Sequence, residues 1–531
     1  MYPFSRTAAK DCAESESHLR LLLFNPQGNL PNWLKGTFLR VGPGKWDLGD
    51  FTLNHWLDGY AILYKFDIRD GTVYFTKKYL QSDAYKKATA CQRPIFTEFG
   101  TRAFPDPCKN IFSRMMSTLS PSNLTDNAIA NVFECHDEVY ASSETCFVRK
   151  IDPKTLDTKD KVDYHKAVSV NLASSHPLSS KDGFVYNLGS SFISSIKYHI
   201  IQIPPAGKKG ADMLKGAKIH CSIPSRWHGL FSYYHSFGMT ESYFVFIEQP
   251  FVIHSTSLIT SQIKGSTFRD SMEWRPQEMN KFIVIDKETG KQVKIDYFSN
   301  EPFFLFHHIN TFESGDQLVV DVIAYKTSEI LDKFYLTKLR EGNFSSSDPG
   351  HFRRYVLPLI KDIKGVESGK NLVTYKDCKA KAEKEEDRII VTPERMNCDE
   401  GQYARGIIDQ LDDSEVIKID TVDKKIVRWN QENNTSIYPG EPKFVPAPNG
   451  VKEDDGVVLA TCTDVRQVES RSGTPISSNR KIEMSRSNFY SCNRKGTKDF
   501  LVVLNASTMK EMARCEVDAN IPGGVHGLFL A

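Results

Sequence analysis

Several features that define common classes of protein are missing from this sequence, and each absence removes a possibility. No apolar run approaches the roughly 20 residues that a membrane-spanning helix needs. Residues 1–17 lack a basic stretch followed by an apolar one, so we expect no secretory signal. The formal net charge of the 531 residues is only +2, which gives no electrostatic reason to expect nucleic acid as a partner.

Paired cysteines and linkers are missing as well. The eleven cysteines are scattered, with no Cys-x-x-Cys motif, which favours reduced thiols and a cytoplasmic location. No Gly/Ser-rich or Pro-rich stretch divides the chain into domains. Segments with the period of an amphipathic helix are few, and residues 328–341 form the best of them. A content of 40% apolar residues nevertheless suits a globular protein with an ample core.

The sequence does contain a recurring hairpin pattern. In residues 66–75, a strand-like run, a turn with Asp and Gly, and a second strand-like run follow one another. The pattern returns at 150–156, 284–290, 418–424 and, with Asn in place of Asp, 503–509. Hairpins repeated along a whole chain indicate a β-propeller, which closes on itself and exposes few strand edges. Two unrelated all-β domains are the alternative.

Four histidines occupy similar settings in distant parts of the chain: His176, His235, His307 and His526. A single histidine beside an apolar run is usually a hydrogen-bonded core residue. The inner strands of a propeller converge on one axis, however, so histidines that are far apart in sequence can meet there. Four neutral imidazoles suit a first-row metal such as Fe(II), Cu or Zn, and we therefore predict a metal site.

Two glutamates are candidates for holding these rings in place. Neutral ligands leave the charge of a divalent ion uncompensated, and carboxylates that accept the outer N–H of each ring offset it and fix the tautomer. Glu144 and Glu453 each lie just before a strand-like run, which makes them candidates for this role. The alternative for each is a solvated turn residue.

Around these residues the sequence resembles the carotenoid cleavage oxygenase family, almost from end to end. The motifs that carry the resemblance are GTFLRVGPG at 36–44, DG at 58–59, YHSFG at 234–238, FHHIN at 306–310, EDDG at 453–456 and VHGLF at 525–529. The segment FPDPCKNIFS at 104–113 is similar to the animal branch, which contains the carotene oxygenases and a retinoid isomerohydrolase.

The resemblance implies one domain over residues 1–531, a seven-bladed β-propeller with a cap of helices and loops. It implies Fe(II) on the axis, held by the four histidines named above, and it maps the outer glutamates onto Glu144 and Glu453. A third family glutamate has no counterpart, because a stretch near residues 396–417 is short by comparison. One blade is therefore expected to be incomplete, and Glu400 is the candidate substitute.

The implied activity is cleavage of a carotenoid double bond by dioxygen into two aldehydes. The run at 322–325 is similar to the centrally cleaving branch, so we expect β-carotene to give two molecules of retinal. Cleavage at an off-centre bond, retinyl-ester isomerohydrolysis, and a catalytically dead carotenoid- or retinoid-binding protein are the alternatives.

A membrane contact is also expected, because a carotenoid is nearly insoluble in water. Residues 108–119 alternate apolar with small polar side chains, as an interfacial segment does. A buried helix or loop is the alternative. Cys108 matches a position that is acylated in some relatives, where a lipid would add an anchor. A free thiol in the core is the alternative. These features predict a cytoplasmic protein in peripheral contact with membranes.

Overall fold

The structure, a computed structural model, describes most of the chain as β-strands joined by turns. The described residues are 22–24, 26–104, 124–192, 195–207, 210, 212–341, 350–396, 415–429, 437–464 and 498–531. Three predictions fall mainly or wholly outside these residues: the membrane-contact segment at 108–119, its Cys108, and Glu400.

The strands are numbered along the chain. The first eighteen are β1 Leu22–Phe24, β2 Gln27–Gly28, β3 Gly36–Lys45, β4 Asp47–Leu48, β5 Phe51–Thr52, β6 Tyr60–Arg69, β7 Thr72–Tyr79, β8 Asn131–Cys135, β9 Glu138–Ser142, β10 Phe147–Ile151, β11 Thr158–Asp163, β12 Leu172–Ala173, β13 Leu178–Ser179, β14 Val185–Ser191, β15 Lys197–Ile203, β16 Lys218–Pro224, β17 Leu230–Ser232 and β18 Gly238–Met239. The others are β19 Tyr243–Glu248, β20 Phe251–His254, β21 Met272–Trp274, β22 Lys281–Asp286, β23 Asp296–Ser299, β24 Phe304–Ser314, β25 Gln317–Tyr325, β26 His351–Pro358, β27 Lys381–Glu385, β28 Arg388–Thr392, β29 Glu394–Arg395, β30 Val416–Ile419, β31 Ile426–Trp429, β32 Ile437–Pro439, β33 Lys443–Pro446, β34 Gly456–Asp464, β35 Asp499–Asn505, β36 Glu511–Val517 and β37 His526–Leu530.

Helices are few and short in the described residues. The α-helices are α1 Asp83–Cys91, α2 Tyr164–Val168, α3 Ser255–Lys264, α4 Glu329–Lys333 and α5 Leu336–Glu341. Single 3₁₀ turns occur at Trp56–Asp58, Arg269–Ser271 and Ile363–Gly365.

The helix predicted over residues 328–341 is divided into α4 and α5. The two residues between them bond to another part of the chain instead of continuing the helix. The carbonyl of Phe334 accepts a hydrogen bond from the N–H of Trp56 at 2.9 Å, and Tyr335 forms a β-bridge with His55. Backbone groups that pair with a neighbouring segment are lost to the helix, so the helix ends there.

The predicted Asp-containing turns are present and connect paired strands. Asp70 and Gly71 have φ angles of 49° and 76°, the left-handed conformation of a tight hairpin between β6 and β7. In each of the other four turns, a side-chain oxygen accepts a hydrogen bond from the backbone N–H three residues later. The accepting residues and distances are Asp152 at 3.3 Å, Asp286 at 2.7 Å, Asp420 at 2.9 Å and Asn505 at 2.9 Å. Each turn therefore satisfies its own backbone locally, which is why the sequence signals it.

The strands form nine sheets in the described part of the chain, and seven of these contain three or more strands. All named pairings are antiparallel except that of β23 with β28. The structure is mostly β, and to that extent the prediction of an all-β protein is confirmed. The two-stranded sheet of β30 and β31 adjoins residues 397–414 and 430–436, which lie outside the described residues, so the incomplete blade stays a prediction.

Segments near the two ends of the sequence share sheets. Strand β37 pairs with β3, placing His526 opposite Val41, and β2 pairs with β36. The sheet that begins with the first long strand is therefore completed only by the last strand.

Apolar side chains form several separate clusters between neighbouring sheets. The largest is rich in aromatic residues and includes Tyr233, Tyr234, Phe304, Phe306 and Tyr325, all buried. This cluster adjoins the histidines described below, since Tyr233 and Phe306 each lie within two residues of one of them.

Two expectations about membranes and thiols can be compared with the structure. None of the helices in the described residues is long and apolar enough to cross a membrane. The cysteines among these residues are free, and Cys135, Cys146 and Cys515 are buried with their thiol pKa raised to about 12, chiefly by burial. Protonated thiols of this kind are chemically inert.

Candidate metal centre

The four predicted histidines come together, although they belong to distant segments. His176 lies in the loop between β12 and β13, and His235 in the loop between β17 and β18. His307 lies near the start of β24, and His526 is the first residue of β37. One ring nitrogen from each lies within 4.8 Å of the other three.

The rings surround a common point at steep angles to one another. His176 and His307 have ring centroids 5.2 Å apart with planes at 90°, and His176 and His526 are 4.5 Å apart at 89°. His235 and His307 are 4.5 Å apart at 88°. Nε2 of His176 faces Nε2 of His235 at 2.8 Å. The four ring nitrogens that lie within 4.8 Å of one another therefore meet at this point.

The inward nitrogens are available to bind an ion. The Nε2 atoms of His307 and His526 are buried and have no hydrogen-bond partner. Orphaned buried nitrogens are costly unless something else satisfies them. Two nitrogens bonded to the same metal at about 2 Å each are at most about 4 Å apart, close to the spacing found here. The donor set therefore fits a first-row metal.

Burial favours the neutral form of three of these imidazoles, which is the form that binds metals. It lowers the pKa of His176 and of His307 well below the usual value, and the neighbouring histidines lower both further. Burial also lowers the pKa of His526, although Glu441 opposes the shift. A second proton on any of these three rings would occupy its inward nitrogen, so the lowered pKa values favour coordination.

The carboxylate of Glu144 contacts the ring of His235. Its Oε1 is hydrogen-bonded to Nδ1 of His235, and it also accepts a hydrogen bond of 2.9 Å from the hydroxyl of Tyr233. Burial raises the pKa of Tyr233 well above its usual value, and the Glu144 carboxylate adds to the shift, so the phenol remains a donor. With Nδ1 protonated toward Glu144, Nε2 of His235 is left with a lone pair that faces the centre.

The prediction for Glu453 is wrong, and Glu441 occupies the role assigned to it. Glu453 lies exposed in the turn before β34, where water solvates its charge. Oε1 of Glu441 lies 3.0 Å from Nδ1 of His526. Partial burial opposes ionisation of Glu441, but His526 and the guanidinium of Arg40 outweigh it and lower the pKa of this carboxyl. Glu441 therefore accepts the outer N–H of His526.

Glu441 and Tyr233 were not singled out from the sequence. Glu441 lies in the short segment Pro439-Gly440-Glu441-Pro442, and Tyr233 precedes a candidate ligand by two residues. An acidic residue fixed between prolines, directly before the strand β33, is a signal that could have pointed to Glu441. The acidic run 453–455 was the more conspicuous feature, but it serves a turn.

His308 does not face the cluster with His307. Its Nδ1 lies 3.1 Å from Oγ of Ser236, and burial lowers its pKa to about 3. Strand β24 shifts register against β25 on both sides of His308. Irregularities of this kind re-aim side chains, and here His307 points to the centre while its neighbour packs beside Ser236.

Hydrogen bonds tie the ligand-bearing segments to one another. Oγ of Ser174 donates to the carbonyl of His235 and accepts the N–H of His176 at 3.0 Å. Oγ of Ser236 lies 2.8 Å from the carbonyl of Phe306 and accepts the N–H of His308 at 2.9 Å. These two serines link three of the ligand-bearing segments.

One side of the centre is aromatic. The ring of Phe306 lies 5.4 Å from His235 and 6.1 Å from Tyr325, and Phe304 stacks on Tyr233 at 6.0 Å. Such a wall offers dispersion contacts to an apolar, conjugated ligand and excludes water from this side of the histidine cluster.

Comparison with protein families matches residues 12–531 to the family described as retinal pigment epithelial membrane protein. The β,β-carotene 15,15'-dioxygenase of Rattus norvegicus is 37% identical over 533 residues, which cover 95% of this chain and 88% of the rat protein. The mitochondrial carotenoid-cleaving dioxygenase of Homo sapiens is 34% identical over 95% of this chain and 87% of the human protein.

Solved structures with the same fold include two forms of the apocarotenoid oxygenase of Synechocystis. A glutamate-to-glutamine mutant superposes with a TM-score of 0.69 at 18% identity, covering 98% of both chains. The cobalt-substituted form has a TM-score of 0.69 at 19% identity, covering 97% of this chain and 96% of the other. At these identities the likeness is one of fold.

Proposed function

The chain belongs to the retinal pigment epithelial membrane protein family, and on this premise we propose that it is a carotenoid oxygenase that cleaves β-carotene into two molecules of retinal. The observation that carries the proposal is the convergence of four imidazoles from distant segments on one point. Relatives at 37% and 34% identity bear the names of carotenoid-cleaving dioxygenases and match almost the whole chain, which supports this substrate class.

The ion that we propose for the centre is Fe(II), held by His176, His235, His307 and His526. Four imidazole nitrogens are a donor set that would suit ferrous iron. The chemistry that ferrous iron supplies when bound is activation of dioxygen, which otherwise reacts very slowly with alkenes.

The residues of the chain provide the geometry for that chemistry. The four imidazoles hold the ion, and Glu144 and Glu441 keep the outer nitrogens of His235 and His526 protonated. Phe304, Phe306 and Tyr325 belong to a buried aromatic wall against which a polyene would lie, and their apolar surface excludes water. No group in this wall carries a charge, which suits a hydrocarbon substrate.

The reaction balances without any further reactant. The O=O bond and one C=C bond break, and two C=O bonds form, so both oxygen atoms of dioxygen enter the two aldehyde products. Cleavage of the central bond of β-carotene gives two molecules of retinal. Cleavage at an off-centre bond is the second candidate, because relatives named carotenoid-cleaving dioxygenases match the chain at similar identity.

The architecture that we propose is a seven-bladed propeller formed by residues 1–531 as one domain. Support comes from the seven sheets of three or more strands and from the pairing of β37 with β3, which links the end of the chain to its beginning. The membrane contact at residues 108–119 and acylation of Cys108 remain proposals, which flotation of the protein with liposomes tests. Since some relatives are named mitochondrial, the cytoplasmic location is a proposal as well.

The test uses purified full-length protein reconstituted with Fe(II) without oxygen and then given β-carotene and ¹⁸O₂. We expect retinal by chromatography, with label in both product molecules. His307→Ala should abolish the product, whereas His254→Ala should retain it, because His254 pairs with Glu273 at the surface. Bound iron without any cleavage product would contradict the proposal and favour the carotenoid-binding alternative.

A further inference from the structure

Arg40 is a buried cation that the proposed reaction does not use. It lies in β3, within the GTFLRVGPG motif, and its side chain is fully buried. Burying a guanidinium is costly unless its charge and its donors are satisfied. The partners that satisfy Arg40 therefore indicate its purpose.

Three hydrogen bonds of Arg40 go to the carbonyls of Glu441 and of the two residues that precede His526. Its Nη1 donates to the carbonyl of Glu441 at 2.5 Å, and its Nη2 donates to the carbonyls of Val525 and Gly524 at 3.2 and 3.4 Å. Nη2 also lies 3.7 Å from Oε2 of Glu441, while Oε1 of the same carboxylate faces Nδ1 of His526. One guanidinium thus contacts the glutamate and the two residues that precede the ligand.

The backbone packs closely around Arg40, and glycines stand where a side chain would collide with neighbouring atoms. A Cβ at Gly524 would lie 2.6 Å from Nε of Arg40 and 2.2 Å from the hydroxyl of Tyr64. A Cβ at Gly440 would lie 2.6 Å from Oγ1 of Thr461 and 3.7 Å from Nη2 of Arg40. Gly524 therefore lets its segment approach the guanidinium closely, whereas Gly440 lets its segment approach Thr461. A planar fork of donors reaches several carbonyls at fixed angles, which a lysine does not.

We propose that Arg40 is a positioning residue for the metal centre. It fixes the carboxylate of Glu441 and the backbone before His526, so that Nε2 of His526 faces the other three imidazoles. The proposal rests on the metal site proposed above. This role explains part of the GTFLRVGPG motif and connects it with the VHGLF motif. Arg40 and Val525, which are in contact, are 485 residues apart in the sequence.

The test measures binding of Co(II), a spectroscopic substitute for Fe(II), by the full-length protein. Titration gives the affinity, and the visible absorption of the bound ion reports its ligand set. For Arg40→Met we expect affinity to fall by about 10- to 100-fold, the usual effect of removing an outer partner of a ligand, with a changed spectrum. Arg40→Lys should recover only part of the affinity. Gly524→Ala, which displaces the guanidinium without removing it, should weaken binding as well.

Arg354→Met is the matched control for stability. Arg354 is equally buried and donates to both oxygens of Asp321 at 2.8 Å, so its loss should destabilise the fold to a similar degree. Its melting temperature should fall, while its Co(II) affinity and spectrum should equal those of the wild type.

The outcomes separate this proposal from the previous one. Failure of the wild-type protein to bind Co(II) would overturn the metal site itself. If the wild type binds Co(II), and folded Arg40→Lys and Gly524→Ala bind it with the same affinity and spectrum, the role of Arg40 is overturned. The proposed metal site would stand in that case. If Arg40→Met does not fold, those two variants decide the matter.

Discussion

His235 and His526 each use their two ring nitrogens for different purposes. Nδ1 of each ring meets a glutamate carboxylate, and Nε2 faces the other histidines or is left without a protein partner. An imidazole whose outer nitrogen is held as a donor has only one nitrogen left for an ion. At the scale of the residue, the glutamates therefore decide which atom of each ring can bind the metal.

Replacing Glu441 by glutamine tests this division directly. Glutamine keeps the size of the side chain but loses the charge, and its amide can present a donor to His526. We expect Fe(II) affinity and retinal formation to fall by about 10- to 100-fold, measured by metal analysis and product chromatography. Glu453→Gln is the control and should match the wild type, because Glu453 is exposed in a turn. Equal losses in the two variants would contradict the assignment of Glu441.

His55 and Asp58 provide a prediction about pH. Burial lowers the pKa of His55 to about 4 and raises that of Asp58 to about 6. As the pH falls from 6.5 to 4, unfolded chains protonate His55 while folded ones do not, so His55 costs stability, about 3 kcal/mol in full. Over the range from 6 to 4, the folded protein takes up a proton on Asp58 before the unfolded chain does, which adds a similar amount of stability.

These two effects oppose each other in the wild type, so single variants should reveal them. Relative to the wild type, His55→Asn should become more stable as the pH falls from 6.5 to 4, and Asp58→Asn should become less stable. The measurement is the free energy of unfolding in denaturant at several pH values. If the stability difference from the wild type changed in the same direction with pH in both variants, the assigned pKa shifts would be contradicted.

At the scale of the element, strand β24 positions His307 at the histidine cluster. Its register shifts around His308 turn His307 toward the centre, and Ser236 holds the strand against the loop that carries His235. The first two residues of β24, Phe304 and Leu305, are buried, whereas Ile309 is 48% exposed. One strand therefore passes from the aromatic core, through the metal centre, to solvent.

Adding one methyl group beside β24 should disturb the centre. A Cβ at Gly238 would lie 2.2 Å from Oγ1 of Thr311 and 2.8 Å from its Cβ. Gly238→Ala must therefore push β24 away from β18, at a cost of roughly 1–3 kcal/mol. We expect a lower melting temperature and weaker metal binding, measured by calorimetry and metal titration. Gly365→Ala is the control, because nothing lies within 4 Å of its added Cβ, and its behaviour should be that of the wild type.

Local patterns explain which elements the sequence could predict. The five hairpin turns were predicted because Asp, Asn or Gly satisfies the turn within a few residues of itself. The division of α4 from α5 could not be predicted, because Trp56 and His55 cause it from another part of the chain. Glu441 was missed for the same reason. Its contact with His526 spans 85 residues, and a single sequence holds no periodic signal of such a pairing.

At the scale of the whole molecule, the centre couples distant segments to one another. Its four histidines span residues 176 to 526, so an ion bound to all four opposes separation of the sheets that carry them. Binding to the folded state alone stabilises a protein by about 2.7 kcal/mol at a ligand concentration 100 times Kd.

Metal removal should therefore lower global stability. We expect Fe(II) under anaerobic conditions to raise the melting temperature of the full chain and a chelator to reverse the rise, measured by thermal unfolding. His526→Ala should abolish this shift, while His254→Ala should preserve it. A rise of equal size in His526→Ala would show that the ion acts elsewhere.

The pairing of β37 with β3 has a consequence for biosynthesis. A nascent chain emerges from the ribosome amino end first, and its earlier segments begin to fold during synthesis. The strand that carries His526 emerges after the other described strands, although its partner β3 is among the first of them. The fourth of the proposed ligands is thus absent until residue 526 has been synthesised, and an ion held by all four histidines can bind only after that residue is in place.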